Sequence, residues 1–307
     1  MSQQQKNVPK TDIAITGLWA AMPRGFHPYI SVMRLDRPIG WWLLLLPSWW
    51  AILASASAVD GAIYMMALFL IGAVTMRAAG CVINDLMDRD IDKHIERTSI
   101  RPIASGEISI LKAFCLLAAL GAIGLAILLQ LPVKAWVIGI LSLPFIALYP
   151  LFKRFTYWPQ AMLGLTFSWG ILLGHVAISN SWPDSGIFIL YFGTVFWVIG
   201  YDTIYAIQDM KDDEISGVKS SALAMKSKIA QGVRNFYGLA ILVLGIGFYS
   251  HLGLSYWLIG LGLMAAHLFW QIGKIDEDNP EMALRLFKSN RDAGLLLSAA
   301  LLLDLIV

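Results

Sequence analysis

The chain has 307 residues, 58% of them hydrophobic and 14% charged, against roughly 45–50% and 25% for soluble domains. With twelve Trp and twelve Met as well, it carries more apolar surface than a soluble protein of this length can bury, and disorder is excluded. A formal charge of +2 gives no reason to expect a nucleic-acid partner, and Cys81 and Cys115 fit neither a CxxC pair nor a metal-ligand spacing.

In chain order, charge-free apolar stretches predict transmembrane helices near 39–58, 61–78, 113–131, 135–151, 158–178, 185–204, 235–250, 254–272 and 292–307. Helices are required because an isolated strand cannot satisfy its backbone in lipid. The fold class expected is an all-α integral membrane protein of nine spans. Residues 1–36 form an N-terminal cytoplasmic segment and 37–307 a single membrane domain. The seventh and eighth spans come from one uncharged run, Asn235–Gly273, divided at His251–Ser255. Of the 23 Lys and Arg, only Lys134 falls on the opposite side from the rest, so the positive-inside rule puts the N-terminus in the cytoplasm. No cleavable signal peptide and no Arg-rich presequence precede the first span, which favours a bacterial inner membrane over a mitochondrial one.

Two loops on the basic side are long, near 79–110 and 205–233, and each opens on an acidic cluster. In the first, Asp85, Asp88 and Asp92 fall at i, i+3 and i+7, beside Asn84; on a continuing helix they share a face. In the second, Asp202, Asp209 and Asp213 fall at i, i+7 and i+11, again one face of a helix, with Tyr205 between them. Stacked carboxylates repel, and a helix C-terminus prefers cations. Solvated loops would be the ordinary fate of such runs, but recurrence at two span ends on one face favours a divalent cation that offsets the repulsion. All-oxygen donors select Mg²⁺ or Mn²⁺, and Mg²⁺ normally completes its shell with water and substrate phosphate. Arg97 and Arg101, one turn apart, then Lys153 and Lys219, stand near these acids, and guanidinium forks suit phosphate oxygens. There is no GxxxxGK loop, no HExxH and no GxSxG, and the five histidines share no ligand spacing and read as structural. Two Mg²⁺-binding clusters at the end of an apolar helical bundle point to ionisation of a lipid diphosphate.

Asn84-Asp85-x-x-Asp88-x-x-x-Asp92 and Asp202-x-x-Tyr205-Ala206-x-x-Asp209-x-x-x-Asp213 resemble the paired signatures of the UbiA-type intramembrane prenyltransferases. Arg34-Leu35-Asp36-Arg37-Pro38, Arg97-Thr98-x-x-Arg101-Pro102, Tyr149-Pro150-x-x-Lys153-Arg154 and Ser289-Asn290-Arg291-Asp292 extend the likeness over residues 27–300, closest to the 4-hydroxybenzoate polyprenyltransferases of ubiquinone synthesis. The resemblance implies nine helices around a central cavity, capped by the two long loops. It implies Mg²⁺ and diphosphate on Asn84, Asp85, Asp88, Asp92, Asp202, Asp209 and Asp213, of which Asp88, Asp92, Asp209 and Asp213 are the catalytic set. Arg97, Arg101, Lys153 and Lys219 would contact the diphosphate of a polyprenyl donor, and Arg34, Arg37 or Tyr205 the 4-hydroxybenzoate acceptor. Homogentisate, naphthoate and chlorophyllide remain alternative acceptors. A cation-coupled transporter is disfavoured because no span centre carries an acid. Prenyl length and oligomeric state are not legible.

Overall fold

The computed structural model describes residues 19–94, 98–152, 155–210, 214 and 217–307. Among them every regular element is helical, as expected. In chain order these are α1 (His27–Val32), α2 (Ile39–Ser55), α3 (Val59–Met87), α4 (Arg89–Asp92), α5 (Ile110–Leu128), α6 (Val133–Phe152) and α7 (Pro159–Phe167). There follow α8 (Trp169–Ser179), α9 (Ser185–Ala206), α10 (Ser221–Met225), α11 (Ile229–Leu252), α12 (Trp257–Ile272) and α13 (Pro280–Ile306). Among the described residues five helical stretches are long and apolar enough to cross a membrane: Val59–Met87, Ile110–Leu128, Pro159–Ser179, Ser185–Ala206 and Ser221–Leu252. Ile39–Ser55, Val133–Leu148 and Trp257–Ile272 are shorter apolar helices.

Hydropathy locates the apolar part of a helix, not its ends. Thus α3 runs past residue 78 to Met87 and carries Arg77, Asn84 and Asp85, while α13 begins at Pro280 and carries Arg285, Lys288 and Arg291 ahead of its apolar half. The predicted 158–178 span holds as one stretch, Pro159–Ser179, within which α7 passes into α8 at Ser168 (φ −73°, ψ −12°). The division at His251–Ser255 is correct: α11 ends at Leu252 on Gly253, a position of φ 73° that suits Gly alone.

The chain clusters into two compact units, residues 1–40 with 72–126 and residues 41–71 with 127–307. The first unit is built on Val32, Ala78, Ala79, Val82, Ile103, Ile108, Ala113 and Leu120. Ile103 and Ile108 come from the loop between α4 and α5, which doubles back through Gly106 and closes with Ile108 N–H donating to Pro102 O at 2.8 Å. That fold-back seats the loop on α3 just where its acidic residues begin.

In the second unit α9 is central and packs chiefly along α11, with α7, α8 and α13 around it. Small residues let the backbones close, as membrane helices require. A β-carbon on Gly193 would lie 2.8 Å from the Leu244 backbone nitrogen, and one on Gly247 would lie 2.9 Å from that of Leu190. Gly193→Val is therefore expected to destabilise by about 1–3 kcal/mol, since a backbone atom cannot step aside as a side chain can. An unchanged unfolding temperature in detergent would contradict this close approach.

The same unit holds a buried polar network. Tyr237 O–H donates to Gln271 Oε1 (2.9 Å) and Asn290 Oδ1 (3.2 Å), and Trp197 Nε1–H donates to Asn290 Oδ1 (3.1 Å). Trp50 Nε1–H donates to Gly294 O at 3.0 Å and Ser298 Oγ at 3.1 Å. Where α2 and α11 end, Ser55 Oγ lies 2.8 Å from His175 Nδ1 and 3.2 Å from His251 Nε2, with Asp184 Oδ2 3.3 Å from His251 Nδ1. Each histidine has a polar partner, in line with the structural role expected of both.

Candidate active site

The first acidic cluster is assembled by an arginine in an unusual backbone state. α1 closes in a Schellman turn, Leu35 N–H donating to Ile30 O and Arg34 N–H to Ser31 O, both at 3.1 Å. The left-handed residue of that turn is Arg34, at φ 55°, a conformation that costs a residue with a β-carbon about 1–2 kcal/mol. The guanidinium offsets this. Nη1 donates to Ser31 O at 2.7 Å, and Nη2 donates to both oxygens of Asp85 at 2.8 and 3.1 Å.

Asp85, only 1% exposed, takes a second cation: Arg101 Nη1 lies 3.4 Å from its Oδ1 and donates to Asp92 Oδ2 at 2.8 Å. Arg34, Asp85, Arg101 and Asp92 thus form one chain of alternating charge. A carboxylate this buried is tolerable only when paired. Asp88 is also buried, and Asn84 is half-buried on the last turn of α3. Asp90 is the solvated member of the run: Lys93 Nζ donates to it at 2.8 Å and holds its carboxyl below the usual range.

The predicted continuous helix through Asp92 is interrupted. α3 stops at Met87, Asp88 sits at φ −93° and ψ 2°, and α4 restarts at Arg89. The ladder nonetheless continues, with Asp88 N–H to Asn84 O at 2.9 Å and Asp92 N–H to Asp88 O at 2.8 Å, so the acids stay on successive turns.

The second cluster departs further from a helix face. α9 ends at Ala206, and Ile207, Gln208 and Asp209 donate to carbonyls three residues back, at 3.2, 3.1 and 3.2 Å. This tightening ends the predicted register, so Asp209 lies beyond α9 while Asp202 and Tyr205 lie on it. The Tyr205 ring packs on Phe287, centroids 4.7 Å apart. Gln208 Nε2 is buried beside this cluster without a hydrogen-bond partner among the described residues. Such an open donor is costly, and no sequence pattern singled it out. Lys219 Nζ donates to Phe155 O at 3.2 Å and lies 5.2 Å from the Tyr157 ring centroid, which brings it to the segment that follows Lys153. Arg37 Nε donates to Asp36 at 3.1 Å; burial pushes the Asp36 carboxyl above its ordinary value against the pull of that cation. Arg97, Lys153 and Asp213 lie outside the described residues.

Among the described residues no group of three His, Cys, Asp or Glu side chains is arranged as a metal cage. The donor chemistry nonetheless fits a hard cation: Asp88 and Asp92 are buried carboxylates on successive turns, one turn on from Asn84. Mg²⁺ is ordinarily held by one or two carboxylates with phosphate and water completing the shell, not by an all-protein cage.

Over 284 residues the chain is 43% identical to a mitochondrial 4-hydroxybenzoate polyprenyltransferase of Caenorhabditis elegans, covering 92% of this chain and 80% of that protein. It is 44% identical over 283 residues to the rat protein of the same name, covering 92% and 75%. Both are named mitochondrial and come from animals, which overturns the expectation of a bacterial inner membrane. That expectation rested on reading the N-terminal residues as too poor in Arg for a presequence. A UbiA homologue of Aeropyrum pernix superposes with a TM-score of 0.71 at 25% identity, over 86% of this chain and 97% of that one. An Archaeoglobus fulgidus homologue, solved with GPP and Mg²⁺, shares the fold at a TM-score of 0.65 and 17% identity, over 91% and 100%. With residues 44–297 matching the profile of the UbiA prenyltransferase family, the chain belongs to that family.

Proposed function

We propose that this protein transfers a polyprenyl group from polyprenyl diphosphate to the ring carbon ortho to the hydroxyl of 4-hydroxybenzoate, in ubiquinone biosynthesis. The observation that carries the reading is chain-long identity above 40% to the nematode and rat enzymes. Nine helices cross the membrane in this reading: the five long stretches, the three shorter apolar ones and α13, within one membrane domain.

Asn84, Asp85, Asp88 and Asp92, with Asp202, Asp209 and Asp213, hold the diphosphate and its Mg²⁺. When bound, the ion neutralises charge on the diphosphate as it leaves. Arg97, Arg101, Lys153 and Lys219 contact the diphosphate oxygens, cations aimed where negative charge develops. Arg34, Arg37 and Tyr205 serve the acceptor, Arg34 while it remains paired to Asp85. The allylic C–O bond breaks and its electrons leave with the diphosphate. The acceptor's ortho carbon then forms the new C–C bond and loses its proton, which restores aromaticity. Apolar walls keep water from quenching the cation.

The test is transfer of labelled polyprenyl diphosphate to 4-hydroxybenzoate in membranes carrying the chain. A 3-polyprenyl product that disappears on chelation and returns with Mg²⁺ is expected. Product that survives thorough chelation overturns the ionisation mechanism. Product formed only with homogentisate or a naphthoate overturns the acceptor.

A further inference from the structure

A groove of about 550 Å³ opens on the second unit, where α10 and the start of α11 meet the residues ahead of α7. Its polar end is Lys228, Gln231 and Asn235, all exposed; its apolar end is Trp158, Phe236 and Leu239, with the Trp158 and Phe236 rings edge to face at 5.9 Å. None of the three polar side chains makes a hydrogen bond or ion pair among the described residues, and no acidic side chain lines the groove. Gly232 makes the room: a β-carbon there would overlap the Met225 sulfur, and anything larger would drive Met225 into the opening.

Lys228, Gln231, Asn235 and Leu239 fall three or four residues apart, on one face of the helix. That face continues as Leu242, Ile246 and Tyr249, all exposed large side chains. Asn235 also begins the uncharged run to Gly273, so the face passes from cation through amides to bare hydrocarbon where the helix enters lipid. From Asn235 to Ile246 is roughly 16 Å of helix rise, about the depth of one leaflet's hydrocarbon.

We infer that this groove binds one anionic glycerophospholipid of the surrounding membrane. Its phosphate pairs with Lys228, Gln231 and Asn235 hydrogen-bond the headgroup and glycerol, and one acyl chain lies over Phe236 and along Leu239 to Ile246. None of its lining residues belongs to the acidic clusters.

Native mass spectrometry of the purified full chain, titrated with phosphatidylglycerol or phosphatidylcholine, tests this. One phosphatidylglycerol is expected to persist where phosphatidylcholine does not. Lys228→Gln is expected to weaken its retention by about fivefold, the effect of one interfacial cation, and Lys228→Arg to keep it within about twofold. Equal retention of the two lipids, or undiminished phosphatidylglycerol on Lys228→Gln, overturns the proposal. So does one-for-one displacement of the lipid by polyprenyl diphosphate, which would make the groove part of the substrate path, or burial of the stripe in a dimer that excludes lipid. Each readout is independent of turnover, so a failure here leaves the transferase reading standing.

Discussion

Asp88→Asn and Asp209→Asn are each expected to lower the rate of prenyl transfer by at least 10²–10³-fold, about the loss seen when one preorganised group that stabilises developing charge is removed. Both substitutions keep volume and polarity and remove one negative charge. Asp88 is buried and Asp209 half-buried, and each follows the end of a helix and not its middle. Insertion and unfolding temperature should therefore change little. Turnover per purified molecule, measured beside thermal unfolding in detergent, separates the two effects. An active Asp88→Asn protein would remove Asp88 from the diphosphate site, and one that fails to insert would make the residue structural.

The second large effect is expected along the chain of charges from Arg34 to Asp92. Removing one partner of a fully buried pair costs about 3–5 kcal/mol, because the other charge is left without compensation. Arg34→Ala or Arg101→Ala leaves Asp85 the other guanidinium, so about 2–3 kcal/mol is expected for each, below that range. Arg34→Ala also removes the Nη1–H bond to Ser31 O at 2.7 Å, leaving that carbonyl the backbone bond alone. Asp85→Asn should rescue part of the Arg34→Ala loss, since the charge being orphaned is then gone. Unfolding measurements on the two single variants and the double variant give the coupling directly. Additive losses would show that Arg34 and Asp85 do not act as a pair.

Much of this was written in the sequence. The apolar stretches are long and, but for the seventh and eighth, separated by charge, so an all-helical membrane fold follows from composition and spacing alone. The helix ends do not follow, because hydropathy falls silent once a helix leaves lipid: α3 reaches Met87 and α13 starts at Pro280 with charged residues on them. Periodicity placed the acids of the first cluster on successive turns, and the hydrogen-bond ladder keeps them there across the break at Asp88. It could not foresee the tightening after Ala206, which takes Asp209 off the face of α9. Nor could spacing pair Arg34 with Asp85, 51 residues away. That contact needs the Schellman turn, and arginine is a poor sequence signal for a left-handed position that normally takes Gly or Asn. Gln208 was missed for a related reason: a buried donor without a partner shows itself only once the chain is folded.

The buried Trp50 bears on the order of assembly. Among the described residues its indole N–H finds acceptors on Gly294 and Ser298, 244 and 248 residues later. During synthesis this indole therefore waits, unsatisfied, while every intervening helix inserts. The contact is among the most distant in sequence, and loops of that length close slowly. The last helix is thus the latch of the second unit. Until it docks, the nascent protein presents an open polar seam that a membrane chaperone or protease can recognise, and a stalled or shortened chain stays marked as unfinished.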